Sequence, residues 1–138
     1  MSRAVLVVED DLNDRTLLQH AFRKAAPHLD LRMVRDSFQA EDYLLARGPF
    51  ADRGRHPFPA LLLLDLKLPR RSGLEFLGWI RQQPELAALP VLILSSSQEP
   101  SDIERAYDLG AQSYLVKSVD LKELVALVQG IGAMTALL

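Results

Sequence analysis

Residues 60–69 read ALLLLDLKLP, and they give the clearest indication of the fold. Four consecutive leucines, Leu61 to Leu64, are typical of a short strand covered on both faces of a parallel sheet. Asp65 follows directly, at a place where a carboxylate is costly unless it is paired or put to use. The stretch therefore predicts a buried strand with a functional acid at its carboxyl end.

Similar apolar runs occur along the whole chain. The predicted strands are residues 5–8, 31–34, 60–64, 91–94 and 114–116, and each is expected to be covered on both faces. Apolar residues with helical spacing occupy the segments 17–25, 38–46, 74–80, 103–107 and 121–131. Helix N-caps are expected at Ser37, Ser72, Ser101 and Asp120, and helix stops at Pro84, Pro90 and Gly110.

A strand followed by a helix is thus repeated five times. Strands joined by single helices pair in parallel through right-handed crossovers. The predicted fold is α/β, a (βα)5 doubly wound five-stranded parallel sheet with helices on both faces. Ligands of such sheets bind at the carboxyl ends of the strands.

Composition indicates one ordinary globular domain. The 138 residues, 49% hydrophobic and 25% charged, predict a single domain over 1–138. A net charge of −2, without any basic run longer than Arg70-Arg71, argues against direct nucleic-acid binding. No cysteine, export signal or membrane-spanning segment is apparent, so we expect a cytoplasmic protein without membrane contact.

One connection is unusually long. Residues 47–59 contain two glycines and three prolines and separate the second predicted helix from the third strand. Such a connection is either a partner surface or a mobile loop.

Polar side chains follow four of the predicted strands. Glu9, Asp10 and Asp11 follow the first, Asp65 the third, Ser95 to Ser97 the fourth and Lys117 the fifth. Adjacent carboxylates need a cation, and an all-oxygen set without His or Cys indicates Mg²⁺. The alternative for residues 9–11 is a solvated loop, and Asp11 is expected to cap the following helix.

These groups together suit phosphoryl chemistry. A carboxylate beside Mg²⁺ can attack phosphorus and form an acyl phosphate. Lys117 can reach the phosphoryl group as a point charge, and the Ser95 hydroxyl can donate a hydrogen bond to it. Asp65 is therefore the candidate nucleophile.

The chain resembles the receiver domain of two-component response regulators over essentially its whole length. The matching stretches, in order, are residues 7–11 (VVEDD), 64–69 (LDLKLP) with Gly73, 94–96 (LSS) and 110–117 (GAQSYLVK). The resemblance implies a flavodoxin-like receiver fold and a phosphoryl group transferred to Asp65 from a histidine kinase.

The resemblance also implies roles for the other strand-end residues. Glu9 and Asp10 would hold Mg²⁺ together with the Asp65 carboxylate and the Lys67 backbone carbonyl. Lys117 and Ser95 would contact the phosphoryl group, and Ser95 and Tyr114 would move together as a switch. Receivers supply most of their own phosphotransfer chemistry and lose the phosphoryl group slowly, which differs from an enzyme acting on a separate substrate.

Some positions depart from the family pattern. Ser118 follows Lys117 where proline in a cis peptide is usual, and we expect a trans bond because a cis bond without proline costs roughly 3–4 kcal/mol. Ser72 replaces a more frequent aspartate before Gly73, and Gly73 is expected to be the residue that matters to the backbone.

An enzyme alternative is a Mg²⁺-dependent phosphatase of haloacid dehalogenase type. That family also uses a strand-end aspartate, a Ser/Thr and a lysine, but it places a second acid two residues after the nucleophile. Lys67 occupies that position here. The Arg70-Arg71 pair is expected to be solvated beside the mouth of the site.

The partners follow from the resemblance rather than from single residues. The chain ends after its fifth helix without an output domain, so we expect a stand-alone receiver. Such a receiver switches protein–protein contacts, acts as a phosphate sink, or passes its phosphoryl group to a downstream phosphotransfer protein, and the residues do not choose among these roles. The 47–59 loop and the last helix are similar to those of regulators paired with bacterial phytochrome kinases, so a bacteriophytochrome is one expected kinase.

The C-terminal segment is apolar nearly all round. No charged residue occurs from Leu124 to Leu138, and an exposed apolar patch usually marks an interface. We expect a two-fold homodimer built on this helix together with the fourth predicted helix and the fifth predicted strand, with a frayed tail as the alternative. The expected interface residues are Leu124, Leu127, Val128, Ile131, Met134, Leu137 and Leu138.

Overall fold

A computed structural model describes residues 3–138. The strands are β1 (Ala4–Val8), β2 (Asp30–Val34), β3 (Leu61–Leu64), β4 (Val91–Ser95) and β5 (Ser113–Val116). The helices are α1 (Leu12–Ala25), α2 (Ser37–Leu44), α3 (Gly73–Gln82), α4 (Pro100–Asp108) and α5 (Leu121–Thr135), with a short 3₁₀ helix at Gly48–Phe50. The predicted alternation of strands and helices is confirmed.

The five strands form one parallel sheet in the order β2-β1-β3-β4-β5. The expectation that every strand is covered on both faces was wrong for the two edge strands. All residues of β1, β3 and β4 are buried, but most of β2 and β5 is half-exposed because each has a neighbouring strand on one side only. The doubly wound fold itself is as predicted.

Alternate side chains of the central strands pack against opposite helix layers. Leu62 and Leu64 of β3 join the core beneath α2, α3 and α4. Leu61 and Leu63 join the core beneath α1 and α5. This alternation explains the run of four leucines, because a strand between two helix layers has no solvent face.

Three of the predicted helix caps are confirmed. The side chains of Asp11, Ser72 and Asp120 accept backbone N–H groups at the starts of α1, α3 and α5. The predicted N-caps at Ser37 and Ser101 were wrong. Asp36 caps α2 instead, and α4 begins at Pro100, whose ring fixes a helical φ at the first position.

The connection at 47–59 is packed rather than free. The buried Tyr43 hydroxyl donates to the Pro57 carbonyl at 2.9 Å, and its ring lies 5.2 Å from that of Phe50. Arg53 donates to the carbonyls of Tyr43 and Leu44 at 2.9 and 2.7 Å, which satisfies the C-terminal end of α2. These contacts argue against a mobile loop, and the use of this segment as a partner surface stays a prediction.

Helix α5 corrects part of the expected dimer interface. Leu124, Val128 and Ile131 are at most 1% exposed because they pack against the sheet, so a partner cannot contact them. Leu127 and Met134 are half-buried, whereas Leu137 and Leu138 are exposed. The backbone N–H groups of Leu137 and Leu138 donate to the carbonyls of Met134 and Thr135 at the end of the helix, which argues against a frayed tail. Within residues 3–138, none of the helices is both long and apolar enough to cross a membrane.

Candidate functional site

The polar residues predicted at the strand ends meet at one edge of the sheet. Glu9 and Asp10 follow β1, Asp65 follows β3, and Lys117 follows β5. The register aligns Val8 with Leu64 and Leu64 with Ile93, so β1 and β3 end together and β4 and β5 extend two residues further at the same edge. Parallel pairing therefore collects residues that lie up to 108 positions apart in the chain.

Three carboxylates form a compact acidic cluster. One oxygen each from Glu9, Asp10 and Asp65 lies within 4.8 Å of the others. Glu9 and Asp65 are 2% and 6% exposed, whereas Asp10 is exposed. Oxygen ligands with this much unbalanced negative charge fit a hard divalent cation such as Mg²⁺.

Lys117 is held by three acidic side chains at once. Its ammonium donates to Glu9 at 2.6 Å, to Asp14 at 2.9 Å and to Asp65 at 3.1 Å, and only 10% of the side chain is exposed. Burial alone lowers the pKa of Lys117, but the hydrogen bonds to Glu9 and Asp14 outweigh it and raise the pKa above its usual value. The lysine is therefore a fixed positive charge beside Asp65. The following peptide bond is trans, as expected, since residues 3–138 contain no cis bond.

The surroundings of Glu9 in the acidic cluster raise the pKa of its carboxyl group. Burial raises the pKa of Glu9 from its ordinary 4.5 to about 7, although the hydrogen bond from Lys117 opposes this shift. The neighbouring Asp65 contributes to this rise in pKa because its charge repels a second carboxylate. One lysine thus leaves negative charge uncompensated, which is the condition that a bound cation relieves.

The backbone around Asp65 leaves no room for a side chain at Gly73. A Cβ atom at that position would lie 2.1 Å from the Asp65 carbonyl oxygen and 2.8 Å from Leu66 Cα. The expectation that Gly73 matters to the backbone is confirmed by this close approach. Asp65 Oδ1 accepts the backbone N–H of Lys67 at 3.2 Å, and the Lys67 side chain is exposed.

Ser95 and Tyr114 are connected through Ser97, a strand-end residue for which the sequence indicated no role of its own. The Ser97 N–H donates to the buried Ser95 hydroxyl at 3.2 Å, and the Ser97 carbonyl accepts the Tyr114 hydroxyl at 2.8 Å. The Ser97 hydroxyl donates to Asp102 in the first turn of α4 at 2.6 Å. A movement of Ser95 would therefore reach both α4 and Tyr114 through one residue.

Arg71 is not the solvated residue that was expected. Its guanidinium donates to Ser37 and pairs with Glu41 at 2.9 Å, and it lies 4.5 Å from the Phe38 ring centroid. It thereby ties α2 to the segment that follows Asp65. Arg70 is the exposed member of the pair, and it adopts φ +67 while contacting Asp36 at 2.7 Å.

Comparison with known proteins places these features in one family. A family model described as the response regulator receiver domain matches residues 5–129. Response regulator Rcp1 of Synechocystis sp. is 36% identical over 129 residues, which cover 94% of this chain and 86% of that protein. The residues matched by the family model include Glu9, Asp10, Asp65 and Lys117.

Solved structures with the same fold include regulators of light signalling. The phosphorylated cyanobacterial phytochrome response regulator RcpA matches with a TM-score of 0.88 at 34% identity, covering 99% of this chain and 95% of that one. A response regulator in red light signalling of R. palustris gives 0.88 at 38% identity, with coverage of 94% and 90%. The Mn²⁺-bound form of Rcp1 gives 0.82 at 36% identity, with coverage of 95% and 92%.

Proposed function

The chain belongs to the response regulator receiver domain family, and from this we propose that Asp65 accepts a phosphoryl group from a sensor histidine kinase. The observation that carries the proposal is the position of the Asp65 carboxylate, 3.1 Å from the Lys117 ammonium and within the acidic cluster of Glu9 and Asp10. Receivers are signalling proteins, so the phosphorylated form is the output of the reaction.

The transfer is a substitution at phosphorus. An Asp65 carboxylate oxygen forms a bond to the phosphorus, the bond between phosphorus and the kinase histidine nitrogen breaks, and that electron pair stays on the nitrogen. Lys117 stabilises the charge that spreads over the phosphoryl oxygens, and the Ser95 hydroxyl donates to one of them. The rate depends on positioning and charge rather than on a general acid or base.

Mg²⁺ is the proposed cofactor, held by Glu9, Asp10, the Asp65 carboxylate and the Lys67 backbone carbonyl. Receiver domains bind a divalent cation at an acidic pocket, and the Mn²⁺-bound form of Rcp1 is a relative with such a cation. When bound, the cation neutralises negative charge that the phosphoryl group brings to the carboxylates. Two observations support a cation at this position. One carboxylate oxygen each from Glu9, Asp10 and Asp65 lies within 4.8 Å of the others, and the pKa of Glu9 is raised.

The switch that reads the phosphoryl group is proposed to be the Ser95, Ser97 and Tyr114 chain. A phosphoryl group can shift an equilibrium only if it bonds better in one of two states. A hydrogen bond from Ser95 to the phosphoryl group provides that difference. The hydrogen bonds of Ser97 to Ser95 and Tyr114 would then carry it to the surface formed by α4 and β5.

The partner kinase is proposed to be a bacteriophytochrome. The similarity to RcpA and to the R. palustris red light regulator supports this assignment. A downstream phosphotransfer protein is the second proposed partner. Incubating the chain with phosphorylated histidine kinase domains, phytochrome and other, and timing the loss of label from each kinase tests the assignment; equal transfer from all would contradict it.

The deciding experiment replaces the acceptor. Purified protein with acetyl phosphate and Mg²⁺ should form one acyl phosphate, detected by intact mass spectrometry and lost on chelation of the metal. Asp65→Asn should abolish it because an amide is not nucleophilic, while Asp108→Asn, at an exposed position in α4, serves as the matched control. Undiminished labelling of the Asp65 variant would remove Asp65 as the acceptor.

Slow autodephosphorylation separates a receiver from the phosphatase alternative. The receiver model predicts a single phosphorylation followed by slow loss of label from Asp65. A phosphatase would hydrolyse p-nitrophenyl phosphate over many turnovers with Mg²⁺. Sustained turnover that disappears in Asp65→Asn would favour the enzyme.

We also propose a homodimer on the exposed side of α5, reduced to Leu127, Met134, Leu137 and Leu138. Leu137 is 86% exposed although it is apolar. Leu137→Asp should convert a dimer to a monomer in light scattering, with and without a phosphoryl analogue. Val119→Asp is the control, since Val119 is also 86% exposed but lies before α5. A wild-type monomer at micromolar concentration in both states would exclude the dimer.

A further inference from the structure

The Lys117 ammonium has no donor left for a phosphoryl group in the arrangement observed. An ammonium carries three N–H bonds, and the three acceptors are Glu9, Asp14 and Asp65. A phosphoryl group bound to Asp65 must therefore take over one of these hydrogen bonds. Which of the three carboxylates remains with Lys117 decides where the ammonium is held during the reaction.

Two of the three carboxylates that accept hydrogen bonds from Lys117 have another role in the proposed reaction. Asp65 is the proposed phosphoryl acceptor, and Glu9 belongs to the acidic cluster that fits a divalent cation. Asp14 lies outside that cluster and is free to stay with the lysine. Its contact with Lys117 at 2.9 Å coexists with the 3.1 Å contact between Lys117 and Asp65, so holding the lysine does not withdraw it from the acceptor.

Asp14 is itself held in place. Its backbone N–H donates to the Asp11 side chain at 2.9 Å, which makes Asp14 part of the capped first turn of α1. At the other end, the Lys117 N–H donates to the Ser95 carbonyl at 2.8 Å. A long flexible side chain is thus fixed at its backbone by β4 and at its charged end by α1.

We infer that Asp14 is a positioning residue for phosphotransfer, which holds the Lys117 ammonium against Asp65 when Glu9 engages the cation. The inference rests on the proposed function. The simpler role for an acid in the first turn of a helix is a favourable contact with the helix dipole, which would affect stability alone. A positioning role affects the rate of phosphorylation at saturating phosphodonor, whereas a contact with the helix dipole does not.

Asp14→Ala should lower the initial rate of acyl phosphate formation at saturating acetyl phosphate by on the order of tenfold, because Lys117 then loses orientation. The half-saturating concentration of the donor should not rise, since removing a negative charge reduces repulsion of the anionic donor. Asp14→Asn should fall between wild type and Asp14→Ala, because an amide oxygen still accepts a hydrogen bond. Mg²⁺ affinity by titration calorimetry should change by less than about twofold, since Asp14 is outside the cation site.

The controls separate the positioning role from stability and from the proposed function. Asp108→Ala, at an exposed site in α4, should behave as wild type. A lower melting temperature of Asp14→Ala with an unchanged saturating rate would overturn the inference and leave only a structural role. Equally faster acyl phosphate formation in Asp14→Ala and Asp14→Asn would also overturn the inference, because Asp14 would then act only by repelling the anionic donor. Absence of acyl phosphate from the wild-type protein would instead reject the proposed function.

Discussion

The buried carboxyl group of Glu9 should make the metal-free protein less stable as the pH rises. The unfolded chain loses this proton near pH 4.5 and the folded protein near pH 7, because burial raises the pKa of Glu9 to about 7. Between these values the folded state binds more protons than the unfolded state. The stability associated with Glu9 is therefore fully present below pH 4.5 and is lost as the pH rises through 7.

The size of the effect follows from the two pKa values. One unit of difference in pKa corresponds to about 1.4 kcal/mol, so ionised Glu9 costs the folded state about 3 kcal/mol well above pH 7. About 2 kcal/mol of this loss falls between pH 5.5 and pH 8. Glu9 is 2% exposed, so solvent screens little of the effect. Glu9→Gln removes this charge. The free energy of unfolding of Glu9→Gln minus that of wild type should therefore be about 2 kcal/mol larger at pH 8 than at pH 5.5.

Urea unfolding in the presence of a chelator, followed by fluorescence of the single tryptophan, Trp79, measures the difference. Subtracting the free energy of unfolding of wild type from that of Glu9→Gln at pH 5.5 and at pH 8 cancels the titration of groups that do not interact with Glu9. Glu104→Gln, at an exposed site in α4, should show no pH-dependent difference. A difference in stability between Glu9→Gln and wild type that is the same at pH 5.5 and at pH 8 would refute the reasoning, because the folded and unfolded states would then lose the Glu9 proton over the same pH range.

Three further variants test the packing and charges around the site. Gly73→Ala should destabilise the fold by at least about 2 kcal/mol in urea unfolding and slow acyl phosphate formation, because its Cβ would lie 2.1 Å from the Asp65 carbonyl oxygen. Tyr43→Phe should lose about 1 kcal/mol by the same method without affecting phosphorylation, since only the hydrogen bond to Pro57 disappears. Lys117→Ala should retain Mg²⁺ binding in calorimetry but form acyl phosphate slowly; loss of Mg²⁺ binding would contradict this division of roles.

Residues at strand ends could be predicted because two simple patterns locate them. Short apolar runs identify the strands, and parallel pairing brings their carboxyl ends together, so Asp65 and Lys117 could be placed near each other from 52 positions apart. The edge strands were harder to describe. Strands β2 (DLRMV) and β5 (SYLV) contain more polar residues than the central strands, but which strand lies at an edge also depends on the order of pairing.

Residues that act from loops and helix turns were missed because periodicity does not describe them. Ser97 is one of three consecutive serines, and the sequence does not show that its carbonyl accepts the Tyr114 hydroxyl. Arg71 looked like half of a solvated basic pair until its contacts with Ser37 and Glu41 were known. Asp14 offered a weak signal, since it follows the acids of residues 9–11 by less than one helical turn.

The connections of Lys117 explain how a change at Asp65 could involve the whole edge of the sheet. The lysine side chain contacts residues that follow β1 and β3 and the first turn of α1, and its backbone donates to the last residue of β4. A phosphoryl group on Asp65 alters the charge that this lysine faces, while Ser95 supplies both the Lys117 backbone acceptor and the hydroxyl bonded to Ser97. Ser95→Ala removes the hydroxyl that Ser97 contacts and keeps the backbone carbonyl that Lys117 contacts, so it should uncouple Tyr114 from phosphorylation without preventing it. Phosphorylation-dependent change in Tyr114 ring resonances, measured by NMR, should therefore disappear in Ser95→Ala, and its persistence would show that the signal travels by another route.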